Sequence, residues 1–389
     1  MNELQTRYPL IFVHGMFGWG ANEGINSKAP YWGGTTGNLM DYLRDKGVEC
    51  CAASVGPVSS VWDQACELYA QLKGTRVDYG EHHSRIHGHK RFGRTYTRPL
   101  IENWSKEKKI HLIGHSFGGN TARLLAHLLK YGSPEEIAES GDDTSPLFVG
   151  GNEELVCSVT AICSPLNGTE AYETAQRYKL LAPMKFICLG YISLMGRTKI
   201  QGSLVDFHLE QYGVNDTDTE KHNASFTETF RRLLNSADNI EYDMSGKGAK
   251  KMNEIINAVP SVYYFSYPYN AVEENENGKK VPKNIDFLFL KGTSGLMLRN
   301  NEKANKMSTG NDGLVDVASA KHPQKEPFRE YCENEPVVPG IWHVMPVKKG
   351  DHGTPIGLLS DKDETHKFYD DLIALLNSVE SNRNLKTTV

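Results

Sequence analysis

The sequence predicts an α/β fold, a mostly parallel sheet with helices packed on both faces. Three observations predict it. Strand-like and helical patterns alternate through the N-terminal half, as strand-helix-strand crossovers require. The apolar runs are short, and the first of them, Pro9 to Val13, ends at a glycine turn, His14-Gly15. Finally, Gly114-His115-Ser116-Phe117-Gly118 stands between an apolar run and an amphipathic one, in the order strand, sharp turn, helix. With 389 residues and 39% apolar content, the chain reads as one enlarged domain over 1–389.

The elements follow in order. Pro9 to Val13 is the first strand. Residues 35 to 46 form a helix, with Leu39, Tyr42 and Leu43 at helical spacing and Gly47 where a terminating glycine belongs. Val48 to Val55 is the second strand. Residues 60 to 73 are helical, because Trp62, Ala65, Cys66, Leu68, Tyr69 and Leu72 make one apolar stripe. The stretch 77–98, rich in His, Arg, Gly and Tyr and without a period, reads as an insertion. Lys109 to Gly114 is a buried strand, Gly119 to Tyr131 a helix, and Leu155 to Cys163 a further strand. From Ala171 to about Gly213 runs an amphipathic region that includes Leu180, Leu181, Met184, Phe186 and Ile187. It is more apolar than a surface helix needs and reads as a lid. Tyr263 to Tyr267 and Asp286 to Leu290 resume strand character, and Thr365 to Leu376 is a closing helix.

Composition narrows the partners. A net charge of -5 gives no basic field, which argues against nucleic acid. No run nears the roughly 20 apolar residues of a membrane-crossing helix, and Met1 to Thr6 lacks the basic and apolar regions of an export signal. The seven cysteines are scattered, odd in number and without a C-x-x-C pair, which speaks against a disulfide framework, a zinc-thiolate site or cysteine catalysis.

The chemistry centres on Ser116. Glycines two before and two after it permit the tight turn that presents a strained residue at the top of a sheet. A serine hydroxyl attacks only if a base takes its proton, and the base needs an acid to fix its tautomer. Among the later histidines, His127 and His366 lie within helices, whereas His352, in Lys349-Gly350-Asp351-His352-Gly353, sits on a late loop. Asp312, in the turn Asn311-Asp312-Gly313-Leu314-Val315, fits as the acid and leads into a strand-like run; Asp316 and Asp351 compete with it. The oxyanion of a tetrahedral intermediate needs backbone N–H donors, and Met16 after the first strand and Phe117 after the serine are placed to give them. Separately, His82, His83, His87 and His89 fall in one stretch. Two histidines with two carboxylates suit a closed tetrahedral zinc, although clustered histidines are more often only solvated, and nothing in the spacing selects carboxylates such as Asp63 and Asp238.

Several segments, among them His14-Gly15-Met16-Phe17-Gly18-Trp19-Gly20, Tyr31-Trp32-Gly33-Gly34, Val77-Asp78-Tyr79-Gly80, Arg91-Phe92-Gly93-Arg94-Thr95-Tyr96 and Asn311-Asp312-Gly313, resemble the signature segments of the thermoalkalophilic bacterial lipases (family I.5), near relatives of the staphylococcal-type lipases. The resemblance covers about residues 8 to 378. It implies an α/β-hydrolase fold with a zinc-binding insertion and a helical lid over about 171–245. It implies a lipase or carboxylester hydrolase acting through an acyl-enzyme, with the triad Ser116, Asp312 and His352 and an oxyanion hole of Met16 and Phe117. Asp63, His83, His89 and Asp238 match the family's structural zinc ligands. The implied partner is a lipid or ester at an oil-water interface, and the implied location is secreted. An esterase or polyester hydrolase of the same mechanism is the alternative; an inactive binding protein would normally show a broken triad. Two departures stand out. The family's acidic calcium ligand two positions after the histidine is Thr354 here, so the resemblance does not carry calcium over intact, and Phe117 replaces a commoner Gln or Met, which predicts a narrower acyl approach.

Overall fold

A computed structural model describes residues 6–180, 205–213, 233, 236–304 and 310–386. Seven strands form the central sheet: β1 (Leu10–Val13), β2 (Cys50–Ala53), β3 (Ile110–His115), β4 (Val156–Ile162), β5 (Tyr263–Tyr267), β6 (Phe328–Glu330) and β7 (Trp342–Val344). Their order is β6-β7-β5-β4-β3-β1-β2, and every neighbouring pair is parallel. β1 shows why the sheet is buried on both sides. Leu10 and Phe12 enter the core of one face and Ile11 and Val13 that of the other, all fully buried. Each such side chain contributes about 1.5–3 kcal/mol by leaving water, so a slip of register by one residue is strongly opposed.

The helices that position the sites are α1 (Leu39–Asp45), α2 (Val61–Lys73), α3 (Glu81–His87), α4 (Phe117–Tyr131), α5 (Glu170–Arg177), α6 (Leu288–Lys303), α7 (Val317–Lys321) and α8 (Lys362–Lys386). The apolar stripe of α2 packs with α4 on one face, while α1 and α8 fill the other. Ser60 starts α2 by accepting the Asp63 N–H, and Gly74, left-handed at φ 67°, stops it. Near the end of α8, the buried Glu380 carboxylate accepts the backbone N–H groups of Arg7 (2.9 Å) and Tyr8 (3.1 Å) and the His111 Nε2–H (2.8 Å), tying this helix to the entry of β1.

Three expectations change. Asp286 to Leu290 is not a strand: the run enters α6, which buries Leu290, Ser294, Met297, Leu298 and Asn301 along one side. A four-residue apolar run, Phe287 to Leu290, fits either period, and the stripe becomes visible only when the following residues are counted. Leu314 and Val315 likewise lead into α7; a single bridge joins Asn311 to Asp316. The aperiodic stretch 77–98 has structure of its own, since strands Arg76–Asp78 and Phe92–Thr95 pair antiparallel around α3. Of the predicted lid, Leu181, Met184, Phe186 and Ile187 lie outside the described residues. No helix among the described residues is long and apolar enough to cross a membrane.

Candidate active site

β1 feeds β2 on one side, but β3 re-enters on the other side of β1 and the chain continues outward to β4 and β5. The direction of winding therefore reverses between β1 and β3, which opens a crevice at their carboxyl ends. Val13 pairs with Gly114, so the loops His14-Gly15-Met16 and His115-Ser116 leave the sheet side by side. Contact between them is close. A Cβ on Gly118 would lie 2.2 Å from the Val13 carbonyl oxygen, and one on Gly15 2.6 Å from the Ser116 Cβ, so both positions exclude a side chain. Ser116 has φ 55° and ψ -128°, a strained conformation for a residue with a Cβ that costs ~1–3 kcal/mol and is sustained by the surrounding packing.

Ser116 and His352 line one cleft of about 380 Å³, whose walls are apolar and include Met16, Leu180, Leu290 and Leu296. His352 Nδ1–H donates to Asp312 Oδ2 at 2.8 Å. Because that partner only accepts, Nε2 keeps its lone pair. Asp312 is fixed in turn: its Oδ1 accepts the Leu314 N–H (2.9 Å) and the Val315 N–H (2.8 Å), and its carbonyl accepts the His352 N–H (2.8 Å). The competing carboxylates are engaged elsewhere. Asp316 accepts the Glu170 N–H, and Asp351 accepts from its own loop and from Asp286. Ser116 and His352 make no direct hydrogen bond among the described residues; such bonds commonly tighten only around a substrate.

The Phe117 N–H stands at the first position of α4, where no helical carbonyl can reach it, and the Met16 N–H also takes no partner among the described residues. The Phe117 side chain is fully buried in the core and does not line the cleft, so the expected narrowing of the acyl approach does not occur.

Residues missed in the sequence join these parts. The Gly15 N–H donates to the Tyr31 hydroxyl (2.9 Å), which donates to His115 Nδ1 (2.7 Å), and His115 Nε2–H donates to the His352 carbonyl (2.9 Å). The carbonyl at the far end fixes the tautomer of His115. Burial, and secondarily the neighbouring His352, holds His115 well below the usual histidine range, so it stays neutral. The free thiol of Cys163 lies within 4.8 Å of ring nitrogens of His115 and His352, and burial pushes it well up, which removes it as a rival nucleophile. Tyr31 was visible in the sequence only as part of a shared segment.

A second cluster forms in the insertion. Asp63, His83, His89 and Asp238 bring ligand atoms within 4.8 Å of one another. His83 Nε2 stands 3.2 Å from Asp63 Oδ1 and 3.3 Å from Asp238 Oδ1, and His89 Nε2 3.3 Å from Asp238 Oδ2. Asp63 Oδ1, Asp238 Oδ1 and both Nε2 atoms are buried without a hydrogen-bond partner, and two carboxylates with two imidazoles make a donor set that fits a tetrahedral metal ion. The outer contacts orient them: His89 Nδ1–H donates to the Lys90 carbonyl, Gln211 Nε2 to Asp63 Oδ2, and the Tyr212 hydroxyl to Asp238 Oδ2. Trp62 stacks on His83. His82 points away, to Glu139.

The family model for a "Lipase-like, C-terminal domain" matches residues 6–387. The lipase of Staphylococcus hyicus is 34% identical over 98% of this chain and 59% of its own, and lipase 2 of Staphylococcus aureus 33% identical over 92% and 51%. The chain thus spans about half the length of the curated relatives it matches. Among solved structures, S. hyicus lipase superposes with a TM-score of 0.81 at 32% identity, covering 99% of both chains. EstA from Clostridium botulinum gives 0.81 at 35% identity, covering 96% of this chain and 87% of that one.

Proposed function

The chain belongs to the lipase-like family, and on that premise we propose that it hydrolyses carboxylic esters, acylglycerols among them, through an acyl-enzyme on Ser116. The observation that carries this reading is the His352–Asp312 pair opening, with strained Ser116, into one apolar cleft. His352 Nε2 takes the Ser116 proton as Oγ attacks the ester carbonyl. Asp312 stabilises the imidazolium, and the N–H groups of Met16 and Phe117 receive the oxyanion. His352 then gives the proton to the leaving alcohol. Water repeats the sequence to release the acid.

Zinc in the insertion is part of the same proposal, held by Asp63, His83, His89 and Asp238. With four protein ligands it would crosslink elements rather than act on substrate. The region 171–245 is read as a lid within one domain over 1–389, and secretion is read from the family resemblance alone. A polyester hydrolase remains the second reading, because an apolar cleft also suits aliphatic polyester chains.

Covalent labelling by an organophosphate tests the centre. One adduct on Ser116 of the wild type and none on Ser116→Ala is expected, with esterase activity falling by ~10⁴-fold or more in that variant. Folded protein that takes no label would instead mark a binding protein.

A further inference from the structure

The loop that carries His352 invites a cation, and its chemistry refuses one. Asp351, buried and next to His352, accepts four donors: the Gly353 N–H (2.9 Å), the Thr354 N–H (3.1 Å) and the Thr354 hydroxyl (3.2 Å) at Oδ1, and the Asp286 N–H (3.2 Å) at Oδ2. The Thr354 oxygen in turn accepts the Asp351 N–H at 2.9 Å. A calcium ion needs six to eight oxygens offering lone pairs at about 2.3–2.6 Å. Here the carboxylate is surrounded by hydrogens. The nearby acidic residues do not converge on it either. Asp361 accepts the N–H groups of Asp363 and Glu364 at the start of α8, and no candidate ligand group among the described residues includes Asp351, Asp361 or Asp363.

We infer that Asp351 and Thr354 form a cation-free clamp that positions His352 for the hydrolysis proposed above, in the place where the family resemblance calls for calcium. The clamp works through geometry. Through the Asp286 N–H it fastens the His352 loop to the segment whose Phe287 lines the cleft, while the Asp312 carbonyl and His115 ring hold the His352 backbone from the other side. Asp351 and Thr354 are therefore positioning residues, acting on the rate through His352 rather than on substrate.

The test uses the full chain purified without added calcium. Calcium chloride at ~1–10 mM is expected to leave both Tm and kcat unchanged, since protein calcium sites generally fill at or below that range and binding to the folded state alone would raise Tm. Thr354→Val is expected to lower kcat about tenfold on a dissolved nitrophenyl ester, with KM within about twofold, and Thr354→Ser to retain wild-type rates. If Thr354→Val does not fold, Asp351→Asn serves, since its amide faces the Asp286 N–H with a donor. A rise of Tm or kcat on adding calcium overturns the inference, and so does an unaltered kcat in Thr354→Val or Asp351→Asn. Absence of any Ser116 label or esterase activity in the wild type sinks the hydrolase reading instead, and the calcium effect on Tm still judges the clamp.

Discussion

His352 offers only Nε2 to the cleft, because Nδ1, the backbone N–H and the carbonyl are all engaged by Asp312 and His115. Its neighbour His115 must stay uncharged for this to last, and it is one of three buried histidines held so. Burial is the largest cause holding His14, His115 and His127 below the usual histidine range, His127 at about 4. The sign is fixed by linkage. The unfolded chain protonates these groups near 6.5 and the folded chain resists until well below, so the unfolded state binds more protons in between. Stability is full above about pH 6.5 and drains as pH falls; at ~1.4 kcal/mol per pKa unit, His127 alone removes up to ~3 kcal/mol by pH 4. Asp243 and Asp316, which burial raises to about 7, act in the opposite sense over the same range, so the test is a comparison: the acid-side loss of melting temperature between pH 7.5 and 5 should be smaller in His127→Gln than in the wild type. Equal pH dependence in the two proteins would contradict it. At this scale Ser116 was legible, because flanking glycines advertise a sharp turn. Asp312 was one of three candidates, since a turn carboxylate shows its partner only in space. Tyr31 and His115, 84 positions apart, gave no local signal of their contact.

The insertion works as an element only when its pieces are joined. α2 contributes Asp63 and α3 contributes His83, while His89 and Asp238 come from loops, and the fully buried Asp63 faces Asp238 with unsatisfied oxygens. A bound cation would satisfy all four at once, so its free energy becomes stability of the insertion and of the 205–213 segment that Gln211 and Tyr212 attach to it. Exhaustive chelation, or Asp63→Ala, should lower Tm by several degrees, ~1 kcal/mol being worth about 2 °C in a chain of this size. Metal analysis should find about one zinc per chain in the wild type and loss in the variant. Unchanged Tm with no metal bound would reduce the cluster to a hydrogen-bonded polar core. The histidine cluster showed in the spacing; the carboxylate partners showed only through the family resemblance, because Asp63 and Asp238 are 175 positions apart by their numbering. α6 was misread for a related reason, its stripe being hidden behind a short apolar run that suits a strand equally well.

For the molecule as a whole, alternation of patterns sufficed to foretell a parallel sheet, and five of its strands were recognised. β6 and β7, three residues each, are too short to carry a period. The cleft is apolar, and of the residues that line it Phe287 and Phe289 stand exposed, with exposed Leu288 between them in the sequence. If the 171–245 region behaves as a lid, specific activity should climb when the ester concentration passes its solubility limit, an apolar helix face gaining free energy at an oil surface. Equal rates on dissolved and emulsified ester would favour a permanently packed region. The Glu380 contacts carry a different consequence. A residue 373 positions downstream supplies an acceptor for the Arg7 N–H and the partner for His111 in a central strand, so these contacts at the start of the sheet wait until Glu380 has emerged from a ribosome. Refolding should be slow, with activity the last property to return, and a permutant of residues 6–386 in which the segment after Glu380 is joined to Arg7 and an exposed loop is opened should fold faster than the native order of residues.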